Sequence, residues 1–277
     1  MSKKLVTEPS PAAPVHEAHE SQAQHALIAM TPDLTPGEVI AHIKQYRVNH
    51  LIQRTSIYFD ERMKSSAIML KKPEQYFNSP IKTVFHSEKV NLKECDLTEF
   101  EHKFNSNSQK AELLAKFETY FKSFCNSDAL FSDISLIIDE LFTNVIYNAP
   151  SNDLENTSSG HARDGVKFEL EAGCFGRIFA AKKDDCILIG CEDPYGTLNI
   201  RKMIERIHAC STLGADTMMK FGDGGAGIGC FLIFMNSMSL FVGVKKGEKT
   251  LFCSLIPLGL GDRKRNEMPK DFHCCEL

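Results

Sequence analysis

The sequence predicts a mixed α/β domain, and three stretches predict it. Residues 131–150 (FSDISLIIDELFTNVIYNAP) carry Ile134, Ile138, Leu141 and Val145 at helical spacing, the apolar stripe of one amphipathic helix. Residues 186–192 (CILIGCE) are nearly all apolar, over a length that suits a strand buried on both faces. Residues 240–256 hold two apolar runs around Lys245-Lys246-Gly247, which is a β-hairpin signature.

The remaining elements follow in order. Residues 1–34 have low hydrophobicity and several prolines and are expected as a disordered tail, with His16, His19 and His25 solvated. Thr35-Pro36-Gly37-Glu38 is a helix start: Thr as N-cap, Pro at the first helical position, Glu three residues after the cap. A helix is expected from there to about Tyr58 and a second to about Leu70. Residues 35–80 thus form a helical extension that ends in a two-proline linker from Lys71. A short strand is expected within 81–90 and a helix over 104–125. The turn at Asn126-Ser127-Asp128 leads into the 131–150 helix, and residues 149–165 read as a loop. Strands are expected at 166–171, 177–181 and 186–192, then a helix over 199–210. The residues from Gly261 are polar and are expected as a flexible tail.

Composition narrows the classes of function. Among 277 residues, 43% are hydrophobic and 25% charged, an ordinary balance for a globular protein. The net charge of −4 argues against non-specific nucleic-acid binding. No apolar run approaches the length of a membrane span, and residues 1–30 lack the apolar core of a signal peptide. A cytoplasmic location is expected. Most of the ten cysteines sit in apolar runs and no CxxC pair occurs, so buried thiols in a reducing compartment are expected rather than zinc or disulfides.

Three features carry chemistry. Glu140, Asn144 and Asn148 recur every four residues on one face of the 131–150 helix. A carboxylate there can take a proton or orient water, and a carboxamide oxygen can ligate Mg²⁺, which prefers hard oxygen donors. Taken alone, the row reads equally as a solvated polar face. The apolar strand ends in Asp193-Pro194-Tyr195-Gly196, a turn with a carboxylate. Gly222-Asp223-Gly224-Gly225-Ala226-Gly227-Ile228-Gly229 precedes an apolar helix, where glycine permits close backbone approach and exposed N–H groups attract phosphate. No Gly-Lys-Ser/Thr follows, so this is not a Walker A loop.

In this order the features resemble the GHKL ATPase superfamily of gyrase, the ninety-kilodalton heat-shock chaperone, mismatch-repair and histidine-kinase ATPase domains. ELFTNVIYNA resembles the N box, CEDPYG the first glycine box and GDGGAGIGCFLI the second, over roughly residues 92–258. The resemblance implies an α+β two-layer sandwich with a Bergerat-type mixed sheet and helices packed on one face. It places the ATP-binding domain at 81–260. It implies that Glu140 is the catalytic base, that Asn144 ligates Mg²⁺, and that Asn148 lies near the phosphates. Asp193 would accept a hydrogen bond from the adenine amino group, with Gly196 beside it. Gly225, Gly227 and Gly229 would let the backbone cradle the phosphates, and residues 197–224 would form an ATP lid. The chain departs from the pattern at Pro194 and Tyr195, where a further glycine is usual, and at Asn148-Ala149, where the anti-sigma branch has His-Ala.

The layout looks most like the anti-sigma-factor serine/threonine kinases. That implies an ATP- and Mg²⁺-dependent protein kinase or switch, with a regulatory protein partner that is sigma-factor-like, an antagonist or response-regulator-like. A homodimer is compatible with the extra N-terminal helices. One alternative is an orphan histidine kinase that uses His42, His50 or a separate phosphotransfer protein, although neither AHIKQYR nor NHLIQRTS matches a phosphoacceptor box. Another is a non-catalytic nucleotide-binding adaptor that signals through lid ordering.

Overall fold

A computed structural model of the chain describes residues 5–7, 28–31, 33–86, 98–149, 167–214 and 226–277. The elements are β1 (Leu5–Thr7), β2 (Ile28–Thr31), α1 (Pro36–Tyr46), β3 (His50–Gln53), α2 (Phe59–Lys71), α3 (Pro73–Asn78) and α4 (Pro80–Phe85). They continue with β4 (Thr98–Phe104), α5 (Lys110–Lys122), α6 (Asp128–Thr143) and a π-helical turn at Asn144–Asn148. The chain then runs through β5 (Gly176–Lys183), β6 (Cys186–Asp193), α7 (Ile200–Leu213) and α8 (Ala226–Asn236). It closes with β7 (Ser239–Lys245), β8 (Lys249–Pro257), α9 (Asp262–Glu267) and β9 (Asp271–Glu276).

These elements form the expected α+β fold around one mixed sheet. Its nine strands run in the order β1-β2-β3-β9-β7-β8-β6-β5-β4. β4, β5, β6, β8 and β7 are antiparallel neighbours, whereas β9 runs parallel to β7 and antiparallel to β3. β6 is interior, as its apolar run demands. Ile187, Ile189 and Cys191 point to one face and Cys186 and Leu188 to the other.

Helices cover both faces. α1, α5, α6, α7 and α8 pack on the first, burying for example Ile40, Phe117, Ile138, Ile207 and Phe234 completely. α2, α3 and α4 cover the second through Met69, Tyr76, Phe77, Val84 and Phe85. Within the 81–260 domain α5, α6, α7 and α8 thus lie on one face, as expected, and α2, α3 and α4 add a layer on the other. Burying five apolar side chains of that layer offsets the desolvated second face of β5, β6, β7 and β8, at roughly 1.5–3 kcal/mol each.

Other local differences have identifiable causes. The Thr35 cap forms as expected, with Glu38 N donating to Thr35 Oγ1 at 3.4 Å and Thr35 N to Glu38 Oε2 at 2.8 Å. The helix stops at Tyr46, where Arg47 turns left-handed (φ 51°), and His50–Gln53 enters the sheet as β3. The two prolines of the expected linker, Pro73 and Pro80, instead occupy first-turn positions of α3 and α4, where a missing N–H costs nothing. α4 replaces the short strand expected within 81–90. Ile28–Thr31 is a strand inside the expected disordered tail. Most of residues 1–34 and of the 149–165 loop lie outside the described residues.

The largest correction concerns residues 261–277. They are not a flexible tail: β9 inserts between β3 and β7, with Phe272 and His273 fully buried. Its polar residues are buried because partners distant in sequence receive them. Asp271 accepts from Gln53 N (3.0 Å), Ser56 Oγ (2.5 Å) and Ser239 Oγ (3.2 Å). His273 Nδ1 lies 2.9 Å from Ser66 Oγ and 3.4 Å from His50 Nδ1.

Candidate functional site

α6 begins at Ser127, whose Oγ accepts from Leu130 N at 3.2 Å. Its last turn widens into the π-helical turn, closed by Ala149 N donating to Asn144 O at 2.9 Å. Such turns recur at functional sites because they re-aim side chains. Here the widened turn brings Asn148 over Asn144, and Asn148 Nδ2 donates to Asn144 Oδ1 at 2.8 Å.

β6 delivers Asp193 to the same place. Asp193 is 8% exposed, and its Oδ1 accepts from Tyr195 N at 2.9 Å and Gly196 N at 3.1 Å. Burial raises its pKa, against the opposing pull of these hydrogen bonds and of Thr250 across the ladder. The tight turn that Pro194 and Tyr195 occupy is thus stabilised by the carboxylate itself. Gly196 completes it at φ +61°; a Cβ there would come within 2.1 Å of Lys245 O.

Between α6 and α7, on a floor of β6 and β8, lies a pocket of about 230 Å³. Asn144 and Asn148 line one wall, Asp193, Cys191, Thr250 and Phe252 the floor, and Asn199, Lys202, Met203 and Arg206 the other wall. Thr197 Oγ1 donates to Ala149 O at 2.8 Å and ties the two walls together at one end. Three residues singled out from two separate sequence motifs, Asn144 and Asn148 from one and Asp193 from the other, therefore share one cavity.

Other expected site residues fall elsewhere. Glu140 is not among the lining residues; it packs against α8, where a Cβ on Gly229 would meet its Oε2 at 2.0 Å. Burial raises its pKa, Asp139 adds to the rise and Lys110 opposes it. Gly229 sits at this close helix contact, and Gly227 lies in the first turn of α8. Gly225 and the rest of the first half of the glycine-rich run, like the distal part of the expected lid, lie outside the described residues. His50 is fully buried, and burial lowers its pKa to about 3, so it is inaccessible as a phosphoacceptor. His42 is half-exposed on α1, 2.9 Å from Glu38 O through Nδ1.

Lys202 and Arg206 were not anticipated. The signal lay in Asn199, Lys202, Met203 and Arg206, spaced to share one helix face, with Asn199 capping the helix through Lys202 N at 3.0 Å. Among the described residues no group of three or more His, Cys, Asp or Glu side chains could hold a metal ion, and no helix is long and apolar enough to cross a membrane. No protein-family model matches the chain, and no curated protein matches it.

Proposed function

We propose that the chain is a Mg·ATP-binding regulatory protein of the GHKL type, acting as a serine/threonine protein kinase or switch on a protein partner in the cytoplasm. One observation carries this: Asn144, Asn148 and Asp193 converge on a single pocket between α6 and α7. The donor set suits an adenine nucleotide. A buried carboxylate can accept from an exocyclic amino group, carboxamides can hydrogen-bond phosphate oxygens, and the Asn144 amide oxygen is a hard donor for Mg²⁺. The described cysteines are free thiols, in keeping with a reducing compartment.

The position of Glu140 favours a second reading, a nucleotide-binding adaptor without phosphoryl transfer. Its carboxylate packs against Gly229 of α8 and is not among the residues that line the pocket. Titration calorimetry with ATP, with and without Mg²⁺, tests nucleotide binding. The wild type should bind, and Asn144→Ala should selectively remove the Mg²⁺ dependence. Phosphate release or protein phosphorylation lost in Glu140→Gln supports the kinase; binding without turnover supports the adaptor. A folded wild type that binds no nucleotide at millimolar concentration refutes both.

A further inference from the structure

The two ends of the pocket differ in charge. Thr197 and Ala149 close one end through their 2.8 Å hydrogen bond, and Asp193 opens the turn that leads to Thr197. Deeper along the pocket the Cys230 thiol faces two charges at once, the Glu140 carboxylate, which acts on it more strongly, and the Arg206 guanidinium. Along α7, Asn199 to Arg206 is seven residues, a rise of about 10 Å. Asp193 is the one carboxylate among the lining residues, and Lys202 and Arg206 are the two cations. Lys202 is exposed at the rim, Arg206 half-buried inside.

We infer that Lys202 and Arg206 form the anion subsite of this pocket, so that a bound ligand lies with an amino-bearing ring at Asp193 and its phosphates along α7. This rests on the nucleotide reading above and adds what that reading lacks: a cationic anchor belonging to the protein, which ranks nucleotides by phosphate number without a metal. A guanidinium can clamp a phosphate through two N–H groups, and a lysine at the rim adds a second positive charge. The low-dielectric wall of Met203 and Phe252 limits screening at Arg206.

Calorimetry in EDTA removes any contribution from Mg²⁺. The wild type should bind ATP more tightly than ADP, ADP more than AMP, and AMP more than adenosine. Arg206→Gln and Lys202→Gln should each weaken ATP by roughly tenfold to a hundredfold, the usual loss for a hydrogen bond to a charged group, and leave adenosine unchanged. Arg206→Lys should restore part of the loss. Inorganic tripolyphosphate should bind the wild type and not the double variant. A uniform weakening of all ligands, or an unchanged ratio of ATP to adenosine affinity in both variants, overturns the subsite. If no adenine compound binds while tripolyphosphate still requires Arg206, the nucleotide reading falls and the anion subsite stands.

Discussion

Acid should loosen the seam that joins β3 to β9. His50 and His273 are both fully buried there, with Phe241 stacked on His273 at 4.3 Å between ring centroids. Burial holds the pKa of His50 at about 3, against an ordinary 6.5. It holds that of His273 well below the ordinary value, with His50 and Arg62 adding to the fall. Both stay neutral in the folded chain while the unfolded chain takes up protons below pH 6.5, so stability is present above that value and is lost as pH falls. Going from pH 7 to 5, His50 costs about 2 kcal/mol, and His273 adds a loss of the same sign. Asp271 opposes this, because burial raises its pKa to about 6 and the folded chain binds that proton first. Its gain over the same interval is about 1.3 kcal/mol, less than the loss from His50 alone, so the net change is still a loss. Asp193 and Glu140, both raised, pull the same way as Asp271 and trim the loss further. Arg62, which lies over Phe241 at 5.6 Å from the ring centroid, stays charged throughout. Urea unfolding at pH 7, 6 and 5, followed by near-ultraviolet circular dichroism, measures the change. The double variant His50→Leu/His273→Leu should lose the downward slope. A wild-type stability that is flat or rising between pH 7 and 5, or a slope unchanged in the double variant, refutes the reasoning.

Further outcomes follow from close contacts. Gly196→Ala should cost more than about 2 kcal/mol in urea unfolding, because the positive φ and the backbone oxygen 2.1 Å from its Cβ leave no room to relax. Gly229→Ala should cost about 1–3 kcal/mol by pushing on Glu140. Adding Glu140→Ala should recover most of that loss, since the obstructing atoms belong to that side chain, and a double-mutant cycle reads the coupling. Lys270→Met should destabilise the chain by about 2 kcal/mol in thermal unfolding, because Lys270 Nζ donates to Met235 O (2.5 Å) and Arg265 O (2.8 Å) from a fully buried position.

What could be read in the sequence was local. The stripe from Ile134 to Val145 marks α6, the apolar run of 186–192 marks β6, and the Lys-Lys-Gly turn marks the β7–β8 hairpin, because each pattern depends on near neighbours. The same locality let Asn144, Asn148 and Asp193 be singled out. β9 was hidden for the opposite reason. Its Asp271 and His273 look like surface residues until Gln53, Ser56, Ser66 and His50, more than 200 positions away, supply their partners. The third layer was equally invisible: nothing in residues 59–85 says which face of a sheet they will cover. Lys202 and Arg206 escaped notice because a basic residue on an amphipathic helix is ordinarily solvated. Only the pocket that opens between it and α6 turns that face into a wall. Glu140 lies one regular helical turn before Asn144, but it packs against Gly229 of α8 and is absent from the pocket lining, which only the packing of α8 reveals.

The central claim is that Asp193 reads an adenine amino group at the floor of this pocket. Its most direct measurement is the affinity of ATP against inosine triphosphate, which lacks that amino group, for the wild type and Asp193→Asn. The wild type should prefer ATP by about tenfold or more, the worth of a hydrogen bond to a charged acceptor, and Asp193→Asn should abolish the preference. Equal affinity for the two nucleotides in the wild type, or a preference that persists in Asp193→Asn, would contradict it.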